Sequence, residues 1–303
     1  MQITKENLTI IIVTIKSKNI IDDCLKSIDP DIKKIIVENS SDQEFINSLK
    51  TKYKNIECYL TGKNLGMGSG NNFGIKKSNT RYVIILNPDT ILKSNTLSQI
   101  FEISKNLEFA ILSPLSDNTD YPNYRICKEL RNDKSKRALF EVDQIDGYAM
   151  ILDKKKFNDN FFDEKIFMYL ENDDLCLRAK KNNKKIYIYS RSLISHLGAK
   201  AVDKKYSDEL EFSRNWHWNW SKFYFRKKHY GFTKAFIFGF LIFVRSIFKS
   251  VYFLIVNNKF KSKLYYCRAS GFMNAALNRS SWFRPRLDWF NHFKDIFSAN
   301  AKK

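Results

Sequence analysis

Five short apolar runs alternate with four segments of helical spacing across the first 115 residues, and this alternation restricts the fold more than any other feature. "LTIIIVTI" (8–15), "IKKIIVENS" (32–40), "IECYL" (56–60), "YVIILNPDT" (82–90) and "FAILSPL" (109–115) read as buried strands. "NIIDDCLKSI" (19–28), "FINSLKTKY" (45–53), "GNNFGIKKS" (70–78) and "SNTLSQIFEIS" (94–104) read as the helices between them. Strand–helix alternation predicts an α/β fold with a mostly parallel, doubly wound sheet, in which ligands bind at the strands' C-terminal ends. The polar residues that close the runs fall at those ends: Thr14, then Glu38 and Asn39, then Asn87 and Asp89.

The middle of the chain is less regular. "VDQIDGYAMILDKKKF" (142–157) reads as a strand with a turn. "FFDEKIFMYLENDDLCLRAKKNNKKIYIYS" reads as loop, helix, turn and strand, with Asn172 as the expected helix cap and basic residues in the last turns. The stretch "LENDD" puts Glu171, Asp173 and Asp174 within four positions. They form either a charged helix start or a site where one carboxylate takes a proton from a hydroxyl.

"NLGMGSGNNFG" (64–74) lacks both the dinucleotide fingerprint, since Asn71 stands where the third glycine belongs, and the lysine of a phosphate-binding loop. It reads as a flexible turn into a helix, or as a close backbone approach to a nucleotide or sugar. Asp89 in "LNPDT" either closes a turn or holds a divalent cation against a diphosphate. His196, taken alone, reads as a structural histidine.

Charge divides the chain. Residues 201–303 hold 20 basic and 6 acidic side chains, and no acid occurs between Phe212 and Leu287. Within that stretch "TKAFIFGFLIFVRSIFKSVYFLIV" (233–256) is strongly apolar, but Arg245 and Lys249 interrupt it. The pattern favours a helix lying in a membrane interface or dipping into one leaflet, with Trp216, Trp218, Trp220 and Trp282 in the headgroup zone. The expected boundary separates an α/β domain, 1–203, from a helical, basic, membrane-associating region, 204–303. Five scattered cysteines without a CxxC pair, and no signal-peptide pattern, point to a reducing cytosol. A net charge of +20 also suits a nucleic-acid binder, but the interleaving of basic and apolar residues favours an anionic membrane surface and no nucleic acid.

In order, "IIVTI", "IIVENSS", "NLGMGSGNNFGI", "LNPDT", "DGYAMILDKKKF", "FFDEKIFMYLENDDLCLR" and "SHLGAKA" resemble the family 2 glycosyltransferases of GT-A fold, in particular the rhamnosyltransferase-like branch. "RNWHWNWSKFYFRKKHYG" and "RSSWFRP" are similar to that branch as well. The resemblance implies inverting transfer of a sugar from a nucleotide-diphosphate donor, with dTDP-rhamnose as the family-level choice and UDP-hexoses open, to a glycan or lipid-linked acceptor at the inner face of the cell membrane. It places nucleotide-sugar binding at Thr14, Glu38, Asn39, Asn64, Gly66, Asn71, Asn87, Asp89, Asp146 and Gly147. It implies a divalent cation, Mg²⁺ or Mn²⁺, at Asp89 and His196.

Glu171–Leu175 matches the family's EDxDL element, which supplies the catalytic base, but Asn172 replaces its first Asp and Asp173 is an added acid. Glu171, Asp173 and Asp174 are therefore the candidate bases. Glu171 or Asp173 is preferred, with Asp174 as a positioning acid. The departure at Asn172 and the single acid in "NPD" leave a catalytically degenerate scaffold as the competing expectation.

Overall fold

The computed structural model describes residues 2–126, 138–198 and 207–284. Cys127, the end of the "SHLGAKA" stretch and the tail beyond residue 284 lie outside them. The chain divides into two compact units, Met1–Asp203 and Lys204–Lys303.

The first unit runs β1 (Leu8–Thr14), α1 (Ile21–Lys26), β2 (Lys33–Glu38), α2 (Gln43–Lys52), β3 (Ile56–Leu60), α3 (Met67–Lys77), β4 (Tyr82–Leu86), β5 (Thr90–Leu92), α4 (Thr96–Ser104) and β6 (Ile111–Ser116). It continues with β7 (Tyr124–Arg125), β8 (Leu139–Glu141), β9 (Gln144–Ile145), β10 (Ala149–Asp153), α5 (Glu171–Lys181) and β11 (Ile186–His196). The main sheet has the order β3-β2-β1-β4-β10-β6-β11-β5, with β8 pairing β11. β10 is antiparallel to both β4 and β6, while β11 is parallel to β6. Six of the sheet's strands thus run one way and β5, β8 and β10 run the other. Every residue of β1 and β4 is buried, as unbroken apolar runs require when both sheet faces are covered.

The glycines of "NLGMGSGNNFG" divide between the turn and the helix: Gly66 stands at the helix entry with φ 82°. Gly68, Gly70 and Gly74 lie inside α3. A Cβ at Gly70 would sit 2.9 Å from Val13 Cγ1, and one at Gly74 only 2.4 Å from Ile11 Cγ2. The missing side chains let α3 press against β1, which fixes the helix above the strand ends.

In the second unit α6 (Ser207–Tyr230), α7 (Phe232–Ile255) and α8 (Lys259–Ala276) enclose a core that includes Phe212, Trp216, Trp220, Phe223 and Phe272. This corrects the tryptophan assignment. Trp216 and Trp220 are buried, and their indole N–H groups donate to Ser270 Oγ at 3.1 Å and to the Arg279 carbonyl at 3.0 Å. Spaced i, i+4, they share the inward face of α6, whereas Trp218 and Trp282 are exposed. Among the described residues α7 is the one helix long and apolar enough to cross a membrane, by length and composition alone.

Gly74→Ala sets two effects against each other. Helix propensity favours Ala by about 1 kcal/mol, and overpacking against Ile11 costs about 1–3 kcal/mol. The expected outcome is a net loss of stability, read as a lower denaturation midpoint in urea with an unchanged slope.

Candidate active site

The ends of β1 and β2 form one hydrogen-bonded group. Thr14 Oγ1 donates to Glu38 Oε2 at 2.5 Å, and Ser40 donates to Glu38 Oε1 from its backbone N–H at 2.7 Å and from its hydroxyl. Glu38 is fully buried, and burial pushes its carboxyl up while the Ser40 and Thr14 donors pull it down. Asn39 donates from Nδ2 to the Gly66 carbonyl at 3.2 Å and accepts from Thr61 Oγ1 at 3.1 Å. The Gly66 N–H donates to Asn64 Oδ1 at 3.0 Å. Gly66 has φ 82°, and a Cβ there would lie 2.2 Å from the Phe167 carbonyl oxygen. Asn71 is buried on α3. The strand ends therefore bring together Thr14, Glu38, Asn39, Asn64 and Gly66, with Ser40 and Thr61 as members that the sequence did not single out.

A second group forms where β4 ends and β11 returns. The β5–β11 ladder sets Thr90 opposite His196, and the Leu197 N–H donates to the Asp89 carbonyl at 3.0 Å. His196 Nε2 stands 3.3 Å from Asp89 Oδ1. The His196 ring stacks on Tyr148, with centroids 4.0 Å apart and planes 7° from parallel. Asn87 Oδ1 and Asp89 Oδ1 are buried and accept no hydrogen bond. An orphaned carboxylate oxygen 3.3 Å from an imidazole nitrogen, with a second orphaned oxygen two positions earlier in the chain, suits a divalent cation. Among the described residues no group of three or more His, Cys, Asp or Glu side chains gathers there, so a cation would draw its further donors from a ligand.

The third group is the start of α5. Asn172 is not the cap. The chain enters the helix through Tyr169 and Leu170, both left-handed with φ 70° and 66°, and Leu170 takes the cap position. Asn172 instead donates from Nδ2 to the Ile145 carbonyl at 2.9 Å, and its side chain packs beside Gly147. The loop before α5 is held from both sides. Asn72 on α3 pairs with the backbone of Phe162, accepting at 3.0 Å and donating at 2.8 Å. Arg178 donates to the carbonyls of Asn160, at 2.9 Å, and Phe161.

The three acids meet different surroundings. Asp174 is fully buried and paired with Arg178 Nε at 2.8 Å. Asp173 is buried with Arg125 NH1 at 3.6 Å from its Oδ2. Burial pushes its carboxyl up, Arg125 pulls it down, and Asp146 pushes it up further. Glu171 has a buried Oε2 with no hydrogen-bond partner, and burial raises its carboxyl to about 7. Asp146 lies 3.7 Å from Arg125 NH2 and within electrostatic reach of His196, so this group adjoins the second one.

Arg178 was legible from the sequence, as a basic residue four positions after Asp174. Arg125, Tyr148 and Asn72 carried no local signal.

The raised Glu171 carboxyl has a consequence for stability. The folded chain holds this proton more tightly than the unfolded chain, whose glutamate titrates near 4.5. Stability contributed by protonated Glu171 is therefore lost as pH rises from about 4.5 through about 7. Glu171→Gln is expected to melt above the wild type at alkaline pH and level with it under acid conditions, measured by calorimetry across pH.

The family model described as glycosyl transferase family 2 matches residues 9–174. The low-salt glycan biosynthesis hexosyltransferase Agl10 of Haloferax volcanii is 26% identical over 197 residues, covering 59% of this chain and 63% of that protein, which is less than two thirds of its length. The rhamnosyltransferase WbbL of Escherichia coli is 27% identical over 199 residues, covering 56% of this chain and 75% of that protein. Among solved structures, GalNAc-T7 with UDP, GalNAc and Mn²⁺ superposes with a TM-score of 0.52 at 12% identity, over 70% of this chain and 51% of that one. TarS 1–349 of S. aureus superposes with a TM-score of 0.51 at 13% identity, over 92% of this chain and 93% of that one. These superpositions show the GT-A fold, and with the family model spanning more than half of its residues the chain belongs to glycosyl transferase family 2.

Proposed function

We propose that this protein transfers a sugar from a nucleotide-diphosphate donor to a hydroxyl of a glycan or lipid-linked acceptor, with inversion at the anomeric carbon. The observation that carries the reading is Glu171, a carboxyl near 7 with an unsatisfied oxygen and no cationic partner among the described residues. A general base works best when its pKa lies near the working pH. As the acceptor oxygen bonds to the anomeric carbon, its proton passes to Glu171 and the bond to the diphosphate breaks. Asp173 and Asp174, each facing an arginine, serve as positioning acids. Thr14, Glu38, Asn39 and Asn64 hold the base and ribose side of the donor. A divalent cation, Mg²⁺ or Mn²⁺, held by Asp89, Asn87 and His196 would supply positive charge against the departing diphosphate. The likeness to a rhamnosyltransferase and a glycan-assembling hexosyltransferase supports a hexose or deoxyhexose donor and a role in surface glycan assembly.

Asn172 favours a second reading, a catalytically silent scaffold, because it stands where the family's element carries Asp and is tied to the Ile145 carbonyl. Turnover with a panel of nucleotide sugars separates the two. The expected result is a kcat/KM that rises with pH through about 7, and a loss of about 10²–10⁴ in Glu171→Gln. Asp173→Asn should lose less. A wild type with neither turnover nor nucleotide binding would establish the scaffold.

We also propose that the second unit rests on an anionic membrane at the cytoplasmic face, with α7 lying in the plane of the surface. Its exposed apolar side chains, among them Phe236, Phe238, Leu241, Phe248, Val251 and Tyr252, spread over most of the helix circumference. Lys234, Arg245 and Lys249 gather within a sector of about 60° at the helical pitch, which lets all three reach headgroups from one side. A spanning α7 would put Arg245 next to the helix midpoint, at a cost of about 3 kcal/mol. An apolar groove of about 420 Å³ between α7 and α8, lined by Phe243, Ile247, Val251, Tyr266 and Met273 among others, continues the apolar surface.

Co-sedimentation should show binding to vesicles containing phosphatidylglycerol, weakened by salt and by Ile247→Asp, and little binding to phosphatidylcholine alone. Tighter salt-sensitive binding to DNA than to the anionic vesicles would overturn this placement.

A further inference from the structure

We infer that Arg125 is a positioning residue of this site: its guanidinium is the counter-charge that holds Asp146 and Asp173 side by side and so fixes the first turn of α5. The residue lies on the short β7–β9 ladder, where Arg125 pairs with Gln144. Its backbone carbonyl accepts from the Asp143 N–H at 2.9 Å, and its NH1 donates to Gln144 Oε1 at 3.0 Å. These bonds aim the two guanidinium ends at different carboxylates, NH1 at Asp173 Oδ2, 3.6 Å away, and NH2 at Asp146 Oδ1, 3.7 Å away.

The groups around Asp173 explain why a cation is needed there. Asp146 faces it from the β9 turn and Glu171 precedes it on the same helix, and both repel its charge. Asn172 Nδ2 reaches it at 3.4 Å as a neutral donor. The Cys176 thiol is pushed well up by burial and stays neutral. Among the described residues Arg125 is the positive group that acts on it. Burial leaves Asp173 with 5% of its side chain exposed, so an uncompensated charge there has little water to solvate it. Removing the guanidinium leaves two like charges facing each other. Relief comes from moving β9 and the start of α5 apart, and that start carries Glu171.

The consequence for turnover rests on the sugar-transfer reading; the electrostatic claim does not. The test is a cycle of Arg125→Gln, Asp146→Asn and their combination in the full chain, with Arg125→Lys as the conservative variant, read by thermal unfolding and by kinetics. At about pH 8 Arg125→Gln should lower the melting temperature by about 2–4 °C. The loss should shrink at lower pH, because both carboxyls are pushed above their ordinary range and protonation removes the repulsion. Adding Asp146→Asn should restore most of the loss, and Arg125→Lys should show little of it. With an active donor, Arg125→Gln should lower kcat about tenfold with little change in donor KM.

An equal loss at every pH, left unrelieved by Asp146→Asn, would mean that Arg125 acts by packing alone and would overturn the inference. If no donor is turned over, sugar transfer fails while the unfolding cycle still decides the role of Arg125.

Discussion

The buried pair between Asp174 and Arg178 fixes the geometry on which the rest of the site depends. Asp174 is fully buried, and one turn later on the same helix Arg178 meets it at 2.8 Å. The remaining guanidinium donors run to the carbonyls of Asn160 and Phe161, so the helix and the loop leading into it are tied by one side chain. Asn72 holds the next residue, Phe162, from α3. Since α3 is pressed onto β1 through Gly70 and Gly74, the start of α5 is referenced through backbone contacts to the strand ends. A buried pair of this kind is weak evidence for stability, because desolvation offsets much of its attraction. Its value here is positional.

With Asp174 neutralised, the acidic cluster separates into three environments. Asp174 faces Arg178, Asp173 faces Arg125, and Glu171 faces no cation among the described residues. Chemically similar carboxyls within four positions thereby meet different surroundings, and burial moves Glu171 to about 7. Environments that push neighbouring acids apart are how one fold assigns separate acid–base roles. Side-chain chemistry alone cannot make that assignment, since Arg125 reaches Asp173 from another strand.

What could be read from the sequence follows the range of the interactions. The strands of the first half are unbroken apolar runs, and their polar ends became the first two groups of the site. The direction of β10 was not legible, because "AMILD" reads the same whether it pairs parallel or antiparallel. The pairing of Asp89 with His196 came from family resemblance, since 107 positions separate them and only the β5–β11 ladder brings them together. Tyr148 and Arg125 depend on tertiary pairing of the same kind. Two departures from the sequence pattern have local causes. Residue type alone puts Trp216 and Trp220 in a headgroup zone, although their i, i+4 spacing is that of a core face. Residue type alone puts Asn172 at the cap, although the cap position belongs to a left-handed leucine.

That leucine links the fold to the chemistry. A left-handed conformation costs an L-residue about 1–2 kcal/mol, and Tyr169 and Leu170 adopt it in succession. The next residue is Glu171, whose buried oxygen lacks a partner and whose ionisation opposes folding. Strain and unsatisfied charge thus fall on three consecutive residues. The surrounding contacts act in the opposite sense: Asn72 on Phe162, Arg178 on Asn160, Phe161 and Asp174, and the Met67 N–H on the Phe167 carbonyl at 3.0 Å. A backbone this unfavourable persists only where neighbours over-determine it. Stability alone gives no reason to keep the strained turn, the unsatisfied glutamate oxygen and the clamps together; under the proposed sugar transfer, their coincidence at one turn holds Glu171 ready for an acceptor.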